Sequence, residues 1–211
     1  MPRQSGLAGS LECEIELLAP YNREEALRGL EGFDYIWLIW EFSLNGEGDG
    51  LTVRPPRLGG NTRVGVFASR SPFRPNRLGL SSVRIAGIDA ARGVIRVMGA
   101  DLVDGTPIYD IKPYVPYSDS HPDARGGFTD SSDWKPLQVE FADSVIADHR
   151  WHGFAEGQLS ASEIEALCEI LSQDPRPQYQ DDPDREYGLT FAGHNVRFKV
   201  AGDVLTVKEI D

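Results

Sequence analysis

Residues 11–18 read LECEIELL, with apolar side chains on one parity and glutamates on the other. A period of two marks a strand with one face in a core and the other in water. Residues 33–42, FDYIWLIWEF, are almost continuously aromatic or branched, which predicts a strand central to its sheet. Further strands are expected in RVGVFAS (63–69), around LSSVRIAGI (80–88), in GVIRVMGA (93–100) and in LQVEFADSVI (137–146). A short helix is expected over 21–32, YNREEALRGLEG, closed by Gly29 or Gly32. So few helices between strands argue against a parallel, doubly wound sheet. A mainly antiparallel, curled single sheet or partly open barrel fits better.

The pattern changes after residue 147. SASEIEALCEILSQD (160–174) carries a capping box, Ser160-x-x-Glu163, and apolar Ile164, Leu167, Cys168 and Leu171 at helical spacing. A Pro- and Asp-rich connector follows, and then short strands, the last two joined through Ala201-Gly202-Asp203. The expected organisation is therefore mainly β with an α+β appendage: a barrel-like domain over 1–147 and a small C-terminal domain over 148–211. The stretch from Asp101 to Trp134 is proline-rich and weakly periodic, and reads as a long functional loop.

Charge changes this picture. The 211 residues carry a net charge of -12, which argues against general affinity for nucleic acid. Yet residues 51–88 contain seven arginines (Arg54, Arg57, Arg63, Arg70, Arg74, Arg77 and Arg84) and no acid. In SRSPFRPN (69–76), Pro72 and Pro75 restrict their own φ and the residues before them, holding Arg70, Arg74 and Arg77 around Phe73. Arg54-Pro55-Pro56-Arg57 is expected near polyproline II, with both guanidinium groups on one side. Arginines preorganised beside an aromatic suit capture of phosphate or carboxylate, with a ring for stacking.

In DLVDGTPIYDIKPYVPY (101–117), Asp104-Gly105 signals a turn. Either the turn and Asp104 line a ligand pocket beside Asp110, Lys112 and the tyrosines, or Asp104 caps its own turn and the tyrosines pack a wall. Cys13 and Cys168 read as small buried hydrophobes in a reducing compartment. His149-x-x-His152 supplies two ligands, too few for a metal, so no metal is expected. No apolar run approaches the roughly 20 residues of a membrane span, and a cytoplasmic location is expected.

With these segments in view, the chain resembles the TsaA-like family, the tRNA methyltransferase O group. The resemblance rests on PRQ (2–4), PYNREEALRGLEGFDYIWL (20–38), TVRPPRLGGNTRVGVFASRSPFRPNRLGLS (52–81), DLVDGTPIYDIKPYVPY (101–117), QDPRPQY (173–179) and HNVRFKV (194–200), in family order over nearly the whole length. It implies a barrel-like methyltransferase unrelated to the Rossmann type, a homodimer, S-adenosyl-L-methionine as donor, and the anticodon arm of tRNA as partner. The implied reaction is N6-methylation of threonylcarbamoyl-adenosine next to the anticodon.

By position, the resemblance implies donor contacts from Pro2, Arg3, Gln4, Ser43, Leu44, Arg70, Leu80, Leu102, Val103, Asp104, Gly105 and Thr106. Asp104 and Asp110 are candidates for a base or orienting group at the acceptor nitrogen, whose lone pair is delocalised as in a urea. Tyr109 and Tyr114 are candidates to stack on the base. Arg54, Arg57, Arg74 and Arg77 would hold phosphates, with Arg176, Arg197 and Lys199 as second RNA contacts. Family members carry a further strand ahead of PRQ, which here follows Met1 directly, and tend to have His-Gln where this chain has Ser43-Leu44. One polar interaction with the donor is expected to be missing there. The residues alone leave two alternatives: a barrel that binds donor or RNA without turnover, and a methyltransferase with another acceptor.

Overall fold

The computed structural model describes residues 4–46, 48, 50–58, 62–131, 134–176 and 182–211. The chain divides into two compact units, Met1–Gly6 with Glu12–Ser132, and Leu7–Leu11 with Asp133–Asp211.

In the first unit, β1 (Glu12–Glu16) is followed by the one-turn helix α1 (Glu24–Leu27), then β2 (Tyr35–Glu41) and the two-residue strands β3 (Thr52–Val53) and β4 (Val64–Gly65). β5 (Leu78–Asp89), β6 (Val94–Met98), β7 (Ile108–Pro113) and the one-turn helix α2 (Pro116–Asp119) complete it. Five strands form one sheet in the order β1-β6-β5-β2-β7, and every pairing is antiparallel. The expected single antiparallel sheet is present, with β1 and β7 as its edges. It is open rather than a closed barrel.

Side-chain alternation fixes which face is buried. Ile36, Leu38 and Trp40 of β2 point into the core with Val83 and Ile95. Tyr35, Trp37, Ile39 and Glu41 take the other face and stay at least partly exposed. The near-continuous apolar run of β2 thus covers a buried face and a half-exposed aromatic one. Trp40 lies against Gly79 of β5, where a Cβ would overlap the indole. Only glycine fits there without moving the ring.

Several expectations are corrected here. The 21–32 helix is a single turn, because Gly29 takes φ 90 and the chain resumes as a 3-10 turn at Leu30–Gly32. RVGVFAS is a strand only at Val64–Gly65; Val66–Ala68 is a 3-10 turn closed by the Ser69 hydroxyl donating to the Val66 carbonyl. Pro56–Leu58 is also a 3-10 turn, so the Arg54–Arg57 segment is not polyproline II. The expected long loop contains β7, whose burial does not alternate, so it left no period in the sequence.

The second unit holds β8 (Gln138–Phe141), the one-turn helix α3 (Asp143–Ile146), helix α4 (Ala161–Ser172), β9 (Tyr187–Phe191), β10 (His194–Ala201) and β11 (Val204–Ile210). Its sheet runs β8-β11-β10-β9, with β8 parallel to β11. The expected boundary after 147 therefore shifts toward 133. β8 pairs with Val204–Val207, and its Val139 and Phe141 pack on the Leu167, Leu171 and Phe198 cluster.

The Ser160 capping box is formed: Ser160 Oγ accepts from the Glu163 amide and the Glu163 carboxylate accepts from the Ser160 amide. That hydrogen bonding holds the Glu163 carboxyl below its usual range. Ser160→Ala is expected to cost about 1 kcal/mol, read as a lower unfolding midpoint. Because the folded value is depressed, the Glu163 share is present above the ordinary carboxylate range and lost as pH falls through the lowered value. The difference between wild type and variant should therefore shrink in acid.

Candidate functional site

The first unit gathers three sequence-distant segments around one buried carboxylate. Trp40 Nε1 donates to Ser81 Oγ at 2.9 Å, and Ser81 Oγ donates to Asp101 Oδ1 at 2.5 Å. Ser81 and Asp101 are the buried polar residues of the described set, at 1% and 9% exposure. Burial pushes the Asp101 carboxyl above the usual range; the Ser81 hydroxyl, the backbone N–H groups of Asp101 and Ser5, and the Arg70 charge pull it back. Arg70 in turn donates from Nη1 to Gln4 Oε1 at 2.6 Å, and Gly6 N–H donates to the Gly99 carbonyl at 2.8 Å. The segment at Gln4–Gly6, the Arg70 loop, the start of β5 and the chain leaving β6 meet here.

Asp101 opens directly into the 102–106 turn. Thr106 closes it, its N–H and Oγ1 both donating to the Val103 carbonyl, at 3.1 and 2.6 Å. Gly105 takes φ 72, which any side chain would resist. Val103, Asp104 and Gly105 are exposed at its tip. Of the donor-contact residues expected from sequence, Gln4 and Arg70 are bonded to each other, Leu80 is exposed on the face of β5 opposite Ser81, and 102–106 follow Asp101 in the chain. Pro2 and Arg3 lie outside the described residues. Ser43 and Leu44 are exposed on the turn after β2, which Arg77 holds by donating from Nη1 to the Asn45 carbonyl.

The arginine segment is braced by its own side chains. Ser71 N–H donates to Ser69 Oγ, Phe73 N–H to Ser71 Oγ, and Arg74 Nη1 to the Ser69 carbonyl. Phe73 and Phe67 remain exposed, at 53% and 80%. Arg54 and Arg63 are exposed as well; the side chain of Arg57 lies outside the described set. Arg77 differs: at φ 47, it pairs with Glu41 at 2.9 Å, and Glu41 also accepts from the Tyr109 hydroxyl. Its charge is spent bracing the ends of β2, β5 and β7.

The two candidate acids are unlike. Asp104 stands exposed at the turn tip. Asp110 sits on β7 bonded to Lys112, 2.9 Å away, which holds its carboxyl below the usual range and weakens it as a proton acceptor. Tyr114 packs against Trp37 at 5.6 Å and Tyr35 at 6.2 Å as part of an aromatic wall, whereas the Tyr109 ring is 60% exposed.

In the second unit, Arg176 is bonded by two nitrogens to Asp174, and Arg197 lies between Glu186 and Glu209. Lys199 shares the Arg197 face of β10. His149 and His152 stack edge to face at 5.5 Å. Among the described residues, no group of three His, Cys, Asp or Glu is placed to hold a metal, and no helix is long and apolar enough to cross a membrane.

Sequence reasoning missed the Trp40–Ser81–Asp101 chain. Ser81 sits at the inward parity of an apolar strand, between Gly79 and Val83, and that mismatch was the available signal. Asp101 gave none beyond following an apolar run.

An open antiparallel sheet with an arginine-braced rim and a separate α+β unit excludes the Rossmann class of methyltransferases. The chain belongs to the tRNA-methyltransferase O family: the model of that family's N-terminal domain matches residues 1–120, and that of its C-terminal domain matches 134–211. It is 40% identical to the tRNA (adenine(37)-N6)-methyltransferase of Escherichia coli over 95% of this chain and 86% of that one. It is 44% identical, over 90% of this chain and 80% of the other, to a Pseudomonas aeruginosa protein named for S-adenosylmethionine-dependent methyl transfer. The crystal structure of TrmO from Pseudomonas aeruginosa superposes with a TM-score of 0.77 at 34% identity, covering all of this chain and 89% of that one.

Proposed function

We propose that this protein transfers the methyl group of S-adenosylmethionine to N6 of the adenine at position 37 of tRNA, and that the acceptor is the threonylcarbamoyl form of that base. The observation that carries this reading is the convergence of Gln4, Arg70, Ser81 and Asp101 beside the 102–106 turn, in a chain whose relative bears the adenine-37 activity in its name.

The residues present fit the donor. An exposed guanidinium, Arg70, suits a carboxylate, and the exposed Leu80 and Val103 with the backbone of 103–106 suit an adenine that needs apolar cover and hydrogen bonds. When bound, the donor supplies a methyl already activated by its sulfonium. The protein's task is alignment. Asp104 is the acid to take the proton from N6, because the bond to Lys112 makes Asp110 the weaker proton acceptor. Tyr109, its hydroxyl held by Glu41, offers its exposed ring for stacking.

Arg54 and Arg74 hold phosphates of the anticodon arm, with Arg57 in the same set and Lys199 the least acid-flanked contact of the second unit. The outer face of β2 and β5, with Tyr35 and Leu78 half exposed, supports a homodimer, which light scattering would reveal as twice the chain mass. A tRNA acceptor puts the protein in the cytoplasm.

Arg54→Glu with Arg74→Glu is expected to weaken tRNA binding and to flatten the log–log dependence of affinity on salt by about 2, roughly 0.9 for each phosphate no longer neutralised. Arg54→Glu alone should leave donor affinity unchanged, whereas Arg74→Glu also removes the brace on the Ser69 carbonyl beside Arg70. An unaltered salt slope would remove these arginines from the RNA interface. Rates on tRNA with and without the threonylcarbamoyl group separate the acceptor claim from the general one; equal rates would reject it.

A further inference from the structure

We propose that Asp101 is a positioning residue for the donor site, a buried carboxylate that ties the walls of that site into one unit. The inference rests on the donor reading above and goes beyond it, because Asp101 itself is not among the groups expected to touch the donor.

The segments that meet around Asp101 carry the residues expected to face the donor. Ser81, which donates to Oδ1 at 2.5 Å, follows Leu80. The 4–6 segment is held to the chain leaving β6 by the Gly6 N–H, which donates to the Gly99 carbonyl at 2.8 Å, and its Gln4 is bonded to Arg70 at 2.6 Å. Asp101 precedes the 102–106 turn. The Trp40 indole fixes Ser81 from the core side at 2.9 Å, so the chain of donors ends in a rigid, 4%-exposed ring. Removing this carboxylate from water is unfavourable, and an inward Ser-Asp pair in an apolar sheet costs stability that an Ala-Leu pair would not. A carboxylate accepts several donors at once, on both oxygens. Asparagine accepts on one oxygen and presents N–H groups at the other position, so it keeps one partner and repels another. Donor-wall geometry is the property that such a substitution changes.

The test compares Asp101→Asn and Ser81→Ala with wild type, using calorimetric binding of S-adenosylmethionine, KM for donor and for tRNA separately, and amide hydrogen exchange. Asp101→Asn should weaken donor binding about tenfold or more, since small misplacements of a site are amplified in this way. Ser81→Ala should produce a smaller loss of the same kind. The tRNA KM should stay within about twofold, and exchange should rise at 4–6 and 102–106 but not within β2 or β6. A purely structural role would instead lower the active fraction, leaving both KM values unchanged and raising exchange throughout the first unit; that outcome overturns the proposal. So does donor affinity unchanged in both variants. If wild type binds no donor, the functional reading fails. The exchange pattern then decides alone, and unchanged protection at 4–6 and 102–106 rejects the tie. Ser81→Ala keeps the question decidable if Asp101→Asn does not fold.

Discussion

Arg70→Ala is expected to raise the KM for S-adenosylmethionine about ten- to hundredfold while leaving the KM for tRNA nearly unchanged. A hydrogen bond to a charged group is worth about 1.5–3 kcal/mol, and Arg70 is the guanidinium proposed to hold the donor's carboxylate. Arg70 is exposed, so its removal leaves no cavity and the fold should be retained. It also releases Gln4 Oε1, so part of the loss is disorder at the N-terminal segment. Arg70→Lys separates the two contributions. A lysine restores a charge but not the planar fork, and should recover only part of the affinity. An equal rise in both KM values would mean that Arg70 serves the RNA instead.

The largest effect on stability is expected at Trp40. Trp40→Ala should cost about 3–5 kcal/mol, because it removes a buried ring and the cavity cannot collapse against a sheet. The ring is 4% exposed, lies against Phe42 at 4.4 Å and covers Gly79. The same variant leaves Ser81 without its indole donor, so residual folded protein should bind donor less well. Gly79→Ala approaches the same packing from the other side. Its methyl group would overlap the indole, and overpacking of this kind costs about 1–3 kcal/mol. Denaturant titrations of both variants check the pair. A Gly79→Ala protein as stable as wild type would show that the ring is free to move, which would weaken the role given to the Trp40–Ser81 bond.

Much of the scaffold was legible in the sequence because its signals are local. The period of two at 11–18 became β1, and the Ser160 capping box became the start of α4. Ala201-Gly202-Asp203 became the turn between β10 and β11, with Gly202 at φ 58. What escaped was set by partners distant in the chain. β8 has the composition of any half-buried strand, and only pairing with β11 assigns it to the second unit. β7 is an edge strand whose outward residues are engaged by Glu41 and Lys112, so no face of it reads as apolar.

The candidate site divides in the same way. The acid-free arginine stretch suggests an anionic ligand; Arg54, Arg63 and Arg70 are exposed, and Arg74 is half-buried and donates to the Ser69 carbonyl. The sequence could not distinguish arginines turned outward from Arg77, which is committed to Glu41. Nor could it reveal that Asp101 would be buried against Ser81, since burial of a carboxylate depends on segments distant in the chain arriving together. The charge balance itself has a consequence for selectivity. With -12 overall and an acid-free arginine stretch in the sequence, RNA is expected to be repelled more strongly elsewhere than there, which favours orientation over indiscriminate binding.

The most direct measurement is transfer of labelled methyl from S-adenosylmethionine to total tRNA from cells lacking this methylation, followed by mass spectrometry of the released nucleosides. The proposed reaction predicts label in one nucleoside, the N6-methylated threonylcarbamoyl-adenosine, with Arg70→Ala reducing the rate at limiting donor. Label in a different nucleoside, or donor binding with no transfer to any tRNA, would contradict it.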